Sequence, residues 1–226
     1  MRRVRTRIAL VSALAVLVAG AGVAVADVTI SSQPGADEFS AASFSVGQGE
    51  KGVFLNPDGD RSHNVTARGR GPDGRPLFRS PTISGSSAPV AGIEYLQAGT
   101  YDFHCTVHSG MDAQLVVENR GTPVARPDIA VSIPRQSLAS VRNQGKLKVR
   151  VRAVTRSDDV VLIARKGARR IGSKRNLDLQ GGRTRVIRLA VTSAGRKALA
   201  GLEKAAVSVR ASVPFGEPDR AARTLR

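Results

Sequence analysis

The sequence predicts an all-β protein made of two successive β-sandwiches. Three observations carry that expectation. From residue 27 to 119, short runs of alternating apolar and polar side chains are separated by Gly, Pro, Asn and Asp at the spacing of antiparallel strands. Beyond residue 128 the alternation resumes, now with a strongly cationic outer face. Good helical periodicity is confined to one short stretch, 193–204.

In chain order, strands are expected at 28–31, 42–46, 52–56, 63–68, 93–96, 100–105 and 113–118. The Pro-rich stretch 69–91 is expected to be a long excursion with at most an edge strand near 76–83. Alternation also assigns faces. Tyr101, Phe103 and Cys105 point one way and Thr100, Asp102 and His104 the other, while His63 is in phase with Val65 and Ala67. Cys105 and His63 therefore start on the core side, and His104 points away from it.

Residues 120–127, with Gly121, Pro123 and Pro127, read as a linker between a first domain over 27–119 and a second over 128–226. In the second, strands are expected at 128–134, 146–153, 159–164, 169–173, 185–191 and 206–213. The run 146–153 alternates strictly, with Lys146, Lys148, Arg150 and Arg152 opposite Leu147, Val149, Val151 and Ala153. An immunoglobulin-like sandwich with one short helix fits these signals, Thr192 or Ser193 serving as N-cap. Its core must be aliphatic, because Phe215 is its only aromatic residue. The end beyond Pro214 is expected to be ordered only in part.

Charge separates the two halves further. The whole chain carries +17, from 35 Lys and Arg against 18 Asp and Glu. Residues 27–119 hold 6 basic and 11 acidic side chains, whereas 120–226 hold 25 and 7. At the N-terminus, Arg2, Arg3, Arg5 and Arg7 precede an apolar run over 8–19, and Ala24-Val25-Ala26 offers a cleavage site before Asp27. Residues 1–26 read as an export signal. An uncleaved membrane anchor is the alternative, since 8–26 carries no charge and is nearly long enough to span a bilayer. Export places the protein outside the cell, in the envelope or in a periplasm. There a single cysteine has no internal disulfide partner and needs another role.

That cysteine lies in the segment Gly99-Thr100-Tyr101-Asp102-Phe103-His104-Cys105-Thr106-Val107-His108-Ser109-Gly110-Met111. Cys105, His108 and Met111 have the donor types of a trigonal His2Cys copper site with a weak axial thioether, provided a second imidazole comes from elsewhere. Outside this segment His63 is the only histidine. Thiolate and imidazole bind copper in either oxidation state, and copper would hold Cys105 as thiolate. Zinc accepts Cys and His, but a thioether is a poor fourth ligand for it. A multicopper oxidase needs more imidazoles than the chain has, and an inward-facing Cys105 suits a metal better than a substrate. The sequon Asn64-Val65-Thr66 reads as coincidental, because it falls within the sheet beside a ligand.

Here the chain resembles the cupredoxins, the small blue copper proteins that include plastocyanin, pseudoazurin and amicyanin. The matching motifs are Ser62-His63-Asn64-Val65, then Gly99-Thr100-Tyr101 leading through Phe103 into Cys105, His108 and Met111. The two-residue gap before Met111 is most similar to amicyanin. The resemblance implies a Greek-key sandwich holding one type 1 copper ion, with His63, Cys105 and His108 equatorial and Met111 axial. It also implies that Asn64 braces the cysteine loop. Two positions depart from the pattern. Val107 stands where proline is frequent, and His104 where an aromatic or acidic residue is common.

Together these readings predict a one-electron carrier and not an enzyme, working with an unidentified redox partner protein. The alternative is an envelope copper-binding or copper-delivery protein without redox turnover. The cationic second domain suits an anionic envelope polymer or a membrane surface. Nucleic acid is not expected, given export and the lack of stacking aromatics.

Overall fold

The computed structural model of the protein describes residues 28–226, and the expected export signal at 1–26 lies outside them. Among the described residues no helix is long and apolar enough to cross a membrane.

The first sandwich packs two sheets. In one, β1 (Val28–Ser31) runs parallel to β3 (Gly52–Asn56), which pairs antiparallel with β5 (Ser86–Val90). In the other the order is β2 (Ser43–Gln48), β7 (Asp112–Gly121), β6 (Gly99–His104) and β4 (Thr66–Ala67). Strands β2 and β7 are parallel, and the remaining pairs are antiparallel. Ile30, Phe54 and Val90 face Val46, Phe103, Leu115 and Val117 across the core. Phe103 is its hub, with edge-on contacts to Phe39 and Phe78 at centroid distances of 4.8 and 5.9 Å. That clamp on β6 fixes the direction of Cys105, two residues further on and on the same face.

Three expectations for this half are corrected. The expected strand over 63–68 shrinks to the two residues of β4, and His63 is tied instead by an isolated bridge to Ile83. Residues 93–96 do not form a strand. Ile93–Tyr95 is a 3-10 turn entered through Gly92, whose φ of 106° breaks the extended path. In the Pro-rich excursion, 76–83 makes isolated bridges only, and the edge strand is β5, where Pro89 sits at the sheet margin.

The second sandwich joins a three-stranded sheet to a four-stranded one, the strand count and division of an immunoglobulin-type fold. The smaller sheet has the order β12 (Thr184–Ala190), β9 (Lys146–Ala153), β8 (Ile129–Ser132), and the larger β11 (Arg169–Leu179), β10 (Ser157–Lys166), β13 (Ala205–Ser212), β14 (Asp219–Leu225). The alternation in β9 is realised as read, with Leu147, Val149, Val151 and Ala153 all buried. Its core is wholly aliphatic, Leu162, Ile171, Leu189 and Val209 among its members.

Two expectations fail here. There are two short helices and not one: α1 (Leu138–Gln144) joins α2 (Ser193–Leu199). The signals for α1 were present in Ser137, whose hydroxyl accepts from the Ser140 amide at 3.1 Å, and in Gly145 with φ 61° after the last turn. The chain beyond Pro214 is also not frayed, because β14 pairs along its full length with β13 and buries Leu225. Helix α2 begins where expected, Thr192 Oγ1 accepting from the Gly195 amide at 3.0 Å, but stops at Leu199.

Phe215 does not enter the aliphatic core of its own sandwich. It leaves the β13–β14 connection to pack on Tyr95 of the first, ring centroids 5.7 Å apart, with the Arg79 guanidinium 4.8 Å from its ring centre. Its amide donates to Asp73 Oδ2 at 3.1 Å, and its carbonyl accepts from Arg126 Nη1 at the same distance. The segment joining the sandwiches is tied down as well, the Val124 amide donating to the Glu94 carbonyl at 2.8 Å.

Candidate metal centre

Two segments about forty residues apart meet beyond the end of β6. β4 pairs Thr66 with His104 and Ala67 with Phe103, which carries the preceding residues, His63 among them, alongside the Cys105 loop. The loop closes on itself through the Cys105 amide, which donates to the Met111 carbonyl at 3.0 Å. Cys105 and Met111 are buried in the core cluster, His63 is fully buried, and the His108 side chain is a quarter exposed.

The donor atoms converge. His63 Nδ1 lies 3.1 Å from His108 Nδ1, which lies 3.9 Å from Cys105 Sγ, and one ligand atom from each residue falls within 4.8 Å of the others. Donors bonded to one ion at about 2.0–2.3 Å are roughly 3–4 Å from one another, so the 3.1 and 3.9 Å separations that His108 makes suit a shared cation. Proton counting points the same way. A facing pair of Nδ1 atoms can share only one hydrogen, and His63 Nε2 is buried without a partner. Burial, followed by the facing His108, lowers the His63 pKa below its ordinary value, partly opposed by Asp37 and Asp58. A lowered value favours the neutral ring, the form in which imidazole binds a metal.

A polar frame holds the loop. Asn64 is buried; its Oδ1 accepts from the Thr106 amide at 2.9 Å, and its Nδ2 donates to the hydroxyls of Thr106 and Thr82 at 2.7 and 2.9 Å. This is the bracing role that the resemblance implied, and an amide so engaged is a poor glycan acceptor. The Val107 amide donates to Cys105 Sγ at 3.4 Å, which ties the sulfur to its own loop.

The structure thus brings together His63, Cys105 and His108, with Met111 buried next to them. His104 stays outside the cluster, as its strand phase required. Asp37 was not found from the sequence. Its Oδ1 lies 3.6 Å from His108 Nε2 and 2.8 Å from Arg61 Nη1, so an ion-paired carboxylate sits beside the outer nitrogen of the more exposed imidazole. A contact across some seventy residues leaves no local signal. The only hint was an acidic residue in a turn.

No protein-family model matches the sequence, and no curated protein does either. Among solved structures, a Cu(I) form of an amicyanin variant is 24% identical, with 41% of this chain and 82% of that one covered and a TM-score of 0.34. For an oxidised amicyanin variant the figures are 26%, 43%, 88% and 0.35. For auracyanin A, a blue copper protein from the green thermophilic photosynthetic bacterium Chloroflexus aurantiacus, they are 20%, 41%, 98% and 0.35. The similarity falls on the N-terminal part of the chain. The cluster of His63, Cys105 and His108, with Met111 buried beside it, has the donor types that a type 1 copper site requires.

Proposed function

We propose that the protein is an exported mononuclear type 1 copper protein that carries one electron at a time, with His63, Cys105, His108 and Met111 as its ligands. The observation that carries this reading is the convergence of two imidazole nitrogens and one thiol sulfur in a buried pocket beside a buried thioether. A thioether in fourth place favours copper over zinc. Copper, when bound, supplies a centre that takes up and releases a single electron.

The residues around it suit that task. Phe103 and the core beneath it exclude water from His63, Cys105 and Met111. Asn64 holds the loop in one arrangement, so little has to move when the charge of the centre changes. His108 is the ligand with an edge toward solvent, and Val107 next to it is 48% exposed. Together they form an approach for a redox partner protein, flanked by the exposed Asp37–Arg61 pair. The cationic second sandwich would dock an anionic envelope polymer, a membrane surface or an acidic partner.

Titration of the purified protein with Cu(II), followed by visible and EPR spectra, tests the reading. An intense blue thiolate band that bleaches and returns with reductant and oxidant is the expected result. Copper uptake without reversible bleaching favours a delivery role, and failure to retain copper refutes both.

A further inference from the structure

Between the two sandwiches lies a cleft of about 380 Å³ that the copper reading does not use. Arg75 and Arg79 enter it from the first sandwich, and Arg175 and Arg210 from the second. The acidic residues on its wall are Asp73 and Asp159. Asp73 is committed to the backbone, Oδ1 accepting from the Arg75 amide at 3.0 Å and Oδ2 from the Phe215 amide at 3.1 Å. None of the four arginines has a carboxylate within ion-pair distance among the described residues. Arg79 goes further, because its Nη1 is buried with no hydrogen-bond partner at all.

A buried guanidinium nitrogen without an acceptor is costly, and more so beside a second positive charge. The cause shows in its acidity: burial, then Arg75, pull Arg79 below the ordinary arginine value, and Asp73 opposes them. The backbone around the cleft is strained too. Among the described residues three non-glycine positions have positive φ: Asp159 and Asn176 line the cleft, and Phe215 follows the lining residue Pro214. An arrangement that keeps four unpaired arginines facing one space, two from each body, is accounted for if an anion completes it. Planar guanidinium forks match the oxygens of a phosphate group, and the space exceeds what one phosphate needs.

We propose that this cleft between the sandwiches is a binding site for a phosphate group, free or as a phosphate ester, clamped by Arg75 and Arg79 on one side and Arg175 and Arg210 on the other. The ligand bridges the two bodies and offsets the positive charge gathered around Arg79. This goes beyond the copper reading and does not depend on it, since cleft and metal cluster share no residue.

Isothermal titration of the full chain, copper-free and copper-loaded, with inorganic phosphate and with glycerol 3-phosphate in buffers of matched ionic strength, tests the proposal. Saturable binding of at least one of the two is expected. A response to inorganic phosphate alone identifies a free-ion site, and a response to both identifies a site for phosphorylated headgroups. The pair Arg175→Gln with Arg210→Gln alters exposed side chains outside both cores and should weaken binding by about tenfold or more. Arg152→Gln, on the outer face of β9, should leave it unchanged. Equal binding by all variants, a response reproduced by sodium chloride, or no saturable binding of either probe overturns the proposal.

Discussion

Asn64→Ala should cost the first sandwich about 2–3 kcal/mol and loosen the metal loop. The side chain is 4% exposed and makes three good hydrogen bonds, at 2.7, 2.9 and 2.9 Å, to Thr106 and Thr82. A typical intramolecular hydrogen bond is worth about 1 kcal/mol net, and the truncation also strands the donor and the two acceptors it leaves behind. Thr106 lies at the surface, so water can reach its amide and hold the total near the lower bound. Asn64→Asp keeps an acceptor for the Thr106 amide and should lose less. The assay is urea unfolding of the copper-free protein, read separately for each sandwich because the two cores need not unfold together. It is paired with the rate at which a chelator strips copper from the loaded form. A loss under about 0.5 kcal/mol with an unchanged stripping rate would refute the bracing argument.

Four further outcomes are expected. Cys105→Ser abolishes the blue band in the Cu(II) titration, whereas His104→Ala leaves it, since only the first residue belongs to the cluster. In the copper-free protein the lowered pKa of His63 means that the unfolded state takes up the proton first. Stability is therefore present above the ordinary value of 6.5 and lost as pH falls from there through the folded value, and His63→Gln should flatten that part of a chemical-denaturation pH profile. Leu162→Ala, at a fully buried position in the aliphatic core, should cost about 2–5 kcal/mol in the unfolding of the second sandwich and leave the copper spectrum unaltered. Phe215→Ala removes the aromatic contact between the bodies, so proteolysis between residues 122 and 127 should accelerate while each sandwich keeps its own unfolding midpoint.

Where period two was strict, the sequence was enough. The run 146–153 is β9 residue for residue, and the phase of 100–105 sorted Cys105 from His104 correctly. The metal cluster was legible because three of its donors lie within seven residues and the chain offers one histidine elsewhere. Reading failed where structure depends on distant partners. β5 contains a proline and reads as loop, yet β3 supplies its pairing. β14 lacks an obvious apolar stripe, but it is held along one side by β13 and at its end by Leu225. Helix α1 was missed despite its cap residues, since its buried side chains are only Leu138 and Val141 and the strand pattern of 146–153 follows at once.

The seam between the sandwiches also supplies an optical probe. The chain has no tryptophan and only two tyrosines, Tyr95 and Tyr101. Tyr95 stacks near Phe215, lies under the Arg126 guanidinium, and ionises above its ordinary value through burial and the nearby Glu94, against the pull of Arg126. Tyr101 instead donates from its hydroxyl to the Gln97 carbonyl near the surface. Ultraviolet signals that distinguish the two phenols therefore report on the joint without any added label, and any separation of the two bodies becomes visible as the exposure of a single ring.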